Sequence, residues 1–180
     1  MNTERKIIDS GNRREFESGA VRDIAEGKGR CDLLPLDTIG NYLVDALPDD
    51  KNAKGYSFIL YNINSFIRNG SPEHIYSAIQ AFSALNNWTP LGALLEVSKH
   101  YEEGAKKYAE RNWEKGIPCR CYVDSGVRHL FKWIDKWNDE PHDRAFLWNM
   151  IGLLWTVEHK PECNDLPYTD RAIEEPASEG

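Results

Sequence analysis

The sequence predicts an all-α fold: a single-domain helical bundle with a flexible N-terminal arm and two inserted helices. Three observations carry this. Leu91–Trp113, Val123–Trp137 and Asp139–Trp155 each repeat apolar residues at helical spacing, one after another. Ser71-Pro72 and Thr89-Pro90 are paired start signals, a capping hydroxyl followed by proline at the first helical position. The 180 residues suffice for a real core, and six Trp and eight Tyr add buried area to an apolar fraction of 41%.

Residues 1–30 are polar, Gly-rich and charged, the composition of an arm. Arg13, Arg14, Arg22, Lys28 and Arg30 are either solvated there or carried over a site, where the arm would offer a cation to an anionic ligand. Asp37 is placed to cap a helix from Thr38 to Ala46, and Pro48–Asn52 is a turn cluster. Residues 56–69 form the next helix, with Phe58, Ile59, Ile63, Phe66 and Ile67 in near-helical register. Gly70 stops it, and Ser71-Pro72 opens another that carries Ile75, Ile79, Phe82 and Leu85 and ends at Asn86-Asn87.

Thr89-Pro90 opens the central helix. Its apolar face is Leu94, Val97, Tyr101, Ala105 and Tyr108. On the other side Glu96, His100, Glu103 and Lys107 share one stripe, spaced four, three and four apart. That stripe is either a solvent face laced with pairs such as Glu103–Lys107 or a ligand-facing surface. Gly116-Ile117-Pro118 breaks the chain. Asp124 or Ser125 then caps a helix with Val127, Leu130, Phe131, Ile134 and Trp137 inward, and Asp124–Arg128 is an i,i+4 ion pair. After the turn 138–141, His142 and Asn149 share a face of the last helix. Residues 168–180 are expected to be an acidic, mobile tail.

The formal net charge is −7, which argues against broad nucleic-acid binding. No apolar run is long enough to span a membrane. The charged start and the four cysteines fit a reduced, cytosolic protein. A zinc site from Cys119 and Cys121 with His159 or Cys163 lacks finger or ribbon spacing, and thiols in loops and core are the simpler reading.

RREFESGAVRD and EGKGRCDLLP, then EEGAKKYAERNWEKGIP, DSGVRHLFKW and DEPHDRAFLWNMIGLL occur in this order. Together they resemble a phage-associated family, the dATP/dGTP diphosphohydrolase N-terminal domain, over roughly residues 13–37 and 91–167. The segment 49–88 stands as an insertion within a 31–167 nucleotide-hydrolase-like domain. The resemblance implies hydrolysis of a purine deoxynucleoside triphosphate to monophosphate and pyrophosphate, in phage nucleotide metabolism and thus in the host cytoplasm. A more distant likeness is to MazG-like all-α pyrophosphohydrolases, in which paired Glu residues hold divalent metal and homo-oligomers are common. This sequence has no Glu-x-x-Glu followed by Glu-x-x-Asp.

For that reaction Mg²⁺ or Mn²⁺ is the expected cofactor, because it clamps phosphate oxygens and activates water. Glu96, Glu103, Asp124 and Glu140 are the candidate metal ligands, with Asp143 an alternative to Glu140. Glu103, His100 and His142 are the candidate catalytic groups. Lys106, Lys107 and Arg128 are the candidate phosphate contacts, His129 a further substrate contact and, like His100 and His142, a candidate base or metal ligand, Tyr108 and Trp113 the stacking rings, and Asn112 and Asn149 the readers of the purine edge. A rival reading is a nucleotide-binding protein without turnover, which sequesters a nucleotide signal. Another is a helical protein whose extra helices contact a partner. The dipeptide His142-Asp143 is also shared with HD phosphohydrolases.

Overall fold

The computed structural model describes residues 11–168. The expected tail falls outside these residues, apart from Tyr168, as does the start of the expected arm. The remainder of that arm is ordered into a hairpin. Strand β1 (Arg13–Glu15) pairs antiparallel with β2 (Val21–Asp23), in the register Arg13 to Asp23, Arg14 to Arg22 and Glu15 to Val21. Gly19 turns the chain between them with φ +77°, a conformation open to glycine.

The helices follow as expected in kind, with corrections to their boundaries and caps. Helix α1 (Leu36–Ala46) starts directly after Pro35, and Asp37 accepts from the Thr38 N–H and pairs with Arg68 at 3.8 Å rather than capping. Helix α2 (Ala53–Asn69) ends at Gly70, whose φ of +72° closes it in the left-handed region. Helix α3 (Pro72–Leu85) opens at Ser71, but the Ser71 hydroxyl bonds the Glu73 carboxylate instead of a backbone N–H. Helix α4 (Pro90–Tyr108) has its cap as expected: Thr89 Oγ1 accepts from Gly92 N–H at 3.1 Å. Helix α5 (Cys119–Ile134) begins right after Pro118, so Asp124 and Ser125 lie inside it and cap nothing. Helix α6 (His142–His159) completes the set, and among the described residues the architecture is all-α apart from the hairpin.

One core joins these helices. Ile59, Leu60, Ile63 and Phe66 of α2 and Ile75, Ala78 and Phe82 of α3 are buried with Tyr122, Val127 and Leu130 of α5 and Phe146, Met150 and Leu153 of α6. The Phe82 and Phe146 rings meet at 4.4 Å. The two helices read as an insertion thus supply a large part of the core. Helices α5 and α6 approach closely at glycines. A Cβ on Gly126 would lie 2.5 Å from Met150 Cε, and one on Gly152 2.5 Å from Tyr122 Cε1.

Helix α4 is rolled relative to its expected orientation. Val97 is buried, but Leu94 is 55% exposed, as are Leu91 and Leu95 more fully. His100 and Lys107, placed on the outer stripe, face the protein instead.

Candidate functional site

Helices α4, α5 and α6 leave a cavity of about 320 Å³, and the β1–β2 hairpin lies against it. That volume is at the lower end of small-molecule sites. Several bonds fasten the hairpin, and two groups of them flank Arg22. Asn112 receives the Val21 N–H at 2.9 Å and donates to the Val21 carbonyl at 2.8 Å. Asp23 receives Lys107 Nζ at 2.7 Å, the Tyr108 hydroxyl at 3.0 Å and Arg13 at 3.0 Å. These bonds hold Arg22, between Val21 and Asp23, in the cavity wall.

Arg22 stacks its guanidinium 5.3 Å from the Trp148 ring and 5.6 Å from the Tyr122 ring. Its hydrogen bonds, both 3.3 Å, go to neutral acceptors, the Cys121 carbonyl and Asn149 Oδ1. It has no carboxylate partner among the described residues. Burial pushes its pKa below the ordinary arginine value, opposed most by Tyr122 and Cys121. Arg14, Lys28, Lys107, Arg111, Arg128 and Lys132 line the same cavity. Arg128 is held by Asp124 at 2.5 Å and by the Lys28 and Gly29 carbonyls at 3.1 Å each. Two buried polar atoms on this wall have no hydrogen-bond partner, Arg14 Nε and His100 Nδ1.

His100 lies 5.8 Å from the Trp148 ring, centroid to centroid. Burial, then the charges of Arg144, Arg22 and Lys107, push its pKa down to about 3, so the imidazole is neutral at ordinary pH. Such a group is a weak base and a good neutral hydrogen-bond partner.

The sequence candidates divide as follows. His100, Lys107, Tyr108, Asn112, Trp113, Asp124, Arg128, His129, Glu140 and Asn149 all line the cavity. His142 stands directly behind His129, buried, with the two Nδ1 atoms 2.9 Å apart. Three candidates stand elsewhere. Glu96 pairs with Lys99 at 2.6 Å, Lys106 pairs with exposed Glu102, and Glu103 faces Arg144 at 3.4 Å. The expected Glu103–Lys107 pair is therefore replaced by two tertiary pairs. Asp124 is engaged by Arg128 and by the Cys31 N–H at 2.7 Å. The four carboxylates named as metal ligands do not converge. Both candidate edge-reading amides bond protein groups: Asn112 holds Val21, and Asn149 holds Arg22 and the Ala145 carbonyl. The Trp113 ring packs on Trp155 and Tyr101.

Trp148, Tyr101 and Lys132 were not among the sequence candidates, yet they line the cavity. Trp148 was legible only as one more apolar residue of α6. The alternative zinc set of Cys119, Cys121, His159 and Cys163 is not assembled. His129, Glu140 and His142 are the sole group of three or more metal-ligating side chains found together among the described residues.

A family model described as dATP/dGTP diphosphohydrolase, N-terminal, matches residues 77–166, half of the chain. The chain belongs to that family. The match runs from within α3 through α6, so the diphosphohydrolase N-terminal region contains three walls of the cavity, while the hairpin with Arg22 precedes it. No curated protein and no solved structure matches the chain. Among the described residues no helix is long and apolar enough to cross a membrane.

Proposed function

We propose that this chain hydrolyses purine deoxynucleoside triphosphates, dGTP or dATP, to monophosphate and pyrophosphate, with Mg²⁺ or Mn²⁺, as part of phage nucleotide metabolism. The family's description supports the substrate class and the reaction. The observation that carries the reading is Arg22, a desolvated guanidinium with only neutral partners in a cavity lined by six further cations. A cation removed from water without a counter-charge is costly, and a polyphosphate supplies that charge.

In this reading Arg22, Lys107, Arg128 and Lys132 hold phosphate oxygens, and Trp148 with Tyr101 offers ring faces to the base. Neutral His100 donates or accepts one hydrogen bond through its free Nδ1. A divalent ion, when bound, neutralises phosphate charge and activates water. The scattered carboxylates favour a second reading, a nucleotide-binding protein without turnover.

The test is incubation of the purified protein with each dNTP and Mg²⁺ or Mn²⁺, with products separated by chromatography. Monophosphate plus pyrophosphate from dGTP or dATP, lost in Arg22→Gln, supports hydrolysis. Intact nucleotide that raises the melting temperature supports binding alone. Neither effect with any dNTP refutes both.

A further inference from the structure

We propose that His129, Glu140 and His142 form a divalent transition-metal site at the edge of the cavity. The proposal deepens the hydrolase reading and rests on it for the metal's role, although metal binding itself is measured without nucleotide.

The argument begins with three atoms. His129 Nδ1 and His142 Nδ1 are 2.9 Å apart, and Glu140 Oε1 is 3.8 Å from each. A triangle with those sides has a circumscribed radius of about 2.1 Å, so one point lies at metal–ligand distance from all three atoms. No adjustment of the backbone is needed to reach it. The separation of the two nitrogens is also close to that of adjacent ligands at right angles on one ion.

The surroundings fit a ligand set. His142 Nε2 lies 2.7 Å from Asp139 Oδ1, and Asp139 Oδ2 receives Lys132 Nζ at 3.1 Å. A carboxylate on the far nitrogen of an imidazole fixes the tautomer that leaves Nδ1 with a lone pair. His142 is almost wholly buried, whereas His129 and Glu140 reach the cavity. An ion held there therefore has protein on one side and the cavity on the other, with open positions for water or a phosphate oxygen.

The donor chemistry selects the ion. Two imidazoles and one carboxylate make a mixed nitrogen–oxygen set, which suits first-row transition ions such as Mn²⁺, Fe²⁺ or Zn²⁺. Mg²⁺ prefers oxygen donors in a near-octahedral shell, and this set offers one protein oxygen. The cage of Glu96, Glu103, Asp124 and Glu140 is replaced by a set that keeps only Glu140.

The test uses the full chain, freed of metal by chelation and dialysed against Mn²⁺, Zn²⁺ or Mg²⁺ alone. Retained metal is measured by mass spectrometry, and Co²⁺ loading is followed by its visible absorption, which reports imidazole ligation without any variant. Mn²⁺ or Zn²⁺ should be retained at one ion per chain, with Mg²⁺ about 100-fold weaker or more. Glu140→Gln and His129→Gln should each weaken retention about 100-fold, and Asp139→Asn about 10–100-fold, with far-UV circular dichroism unchanged. Arg68→Met, on the exposed side of α2, should leave retention unaltered. Wild-type protein that keeps no transition ion and gives no Co²⁺ band overturns the proposal. So does retention that survives both ligand variants. Metal binding without turnover would refute the hydrolase reading and leave this site standing; turnover with no metal on this triad would do the reverse.

Discussion

Asn112 grips Val21 by both ends of its amide, with bonds of 2.9 and 2.8 Å to the backbone N–H and carbonyl. A side chain here does the work of a neighbouring strand, because among the described residues β2 has no second strand on that side to satisfy those groups. The pair is nearly buried, with Asn112 at 6% exposure, so its loss leaves two backbone groups without partners.

Asn112→Ala should therefore destabilise the protein by about 1–3 kcal/mol, read from urea unfolding. Hydrogen exchange at Val21 should rise in the same variant, because the hairpin loses its latch. An unchanged exchange rate would show that the hairpin's other bonds, those of Asp23 and Arg22 among them, hold the strand without Asn112.

Arg22→Met should separate stability from binding. The variant removes a desolvated charge that lacks a carboxylate partner, at the loss of ring contacts with Trp148 and Tyr122. Those terms oppose, so stability should stay within about 1 kcal/mol of the wild type. Affinity for dGTP, measured by calorimetry, should fall about 10-fold or more, the loss of one charge-assisted contact. A large drop in stability would mark Arg22 as a structural ion instead.

Acidification should weaken the fold through His100. Its folded pKa is depressed to about 3, below the unfolded imidazole value of about 6.5. The unfolded chain therefore binds the proton first. The stability loss begins as pH falls below 6.5 and is complete near pH 3. From pH 7.5 to pH 5 the contribution is about 2 kcal/mol. Urea unfolding at those two values checks this, and His100→Asn should remove that part of the slope.

The α5–α6 contact should distinguish its two glycines. An alanine at 152 meets the edge of the fully buried Tyr122 ring, whereas one at 126 meets the flexible end of Met150. Overpacking against a ring costs about 1–3 kcal/mol, and the helix gains about 1 from losing glycine. Gly152→Ala should come out destabilised by up to about 2 kcal/mol, and Gly126→Ala near neutral. Equal losses in the two variants would refute this account.

Helix number and order were legible because amphipathic repeats and proline start signals are local. The start of α5 was not, because Cys119, Cys121, Tyr122 and Val123 are all buried and show no polar face. Asp124 has the look of a cap, yet its partners are the Cys31 N–H and Arg128, and the first of these is 93 positions away in sequence. The hairpin hid in a charged, Gly-rich composition, since three-residue strands are too short to alternate visibly. Most site candidates did reach the cavity, but the α4 stripe was split by the roll of the helix: His100 and Lys107 line the cavity, whereas Glu96 and Glu103 pair with Lys99 and Arg144. The grouping of His129 with Glu140 and His142 depends on α5 folding back along α6, which spacing alone does not encode.

The position of the hairpin has a consequence for how the protein is made. Val21 finds its latch 91 residues later, and Arg22 meets Asn149 after 127. A ribosome delivers the N-terminal segment first, at roughly 5–20 residues per second. The hairpin must then wait several seconds before α6 emerges to receive it. During that interval Arg22 stays hydrated, and the cavity does not exist. Contacts of such long sequence separation slow folding. A chain truncated anywhere before α6 lacks the wall that receives Arg22, so the cavity closes only once nearly the whole described region has been synthesised.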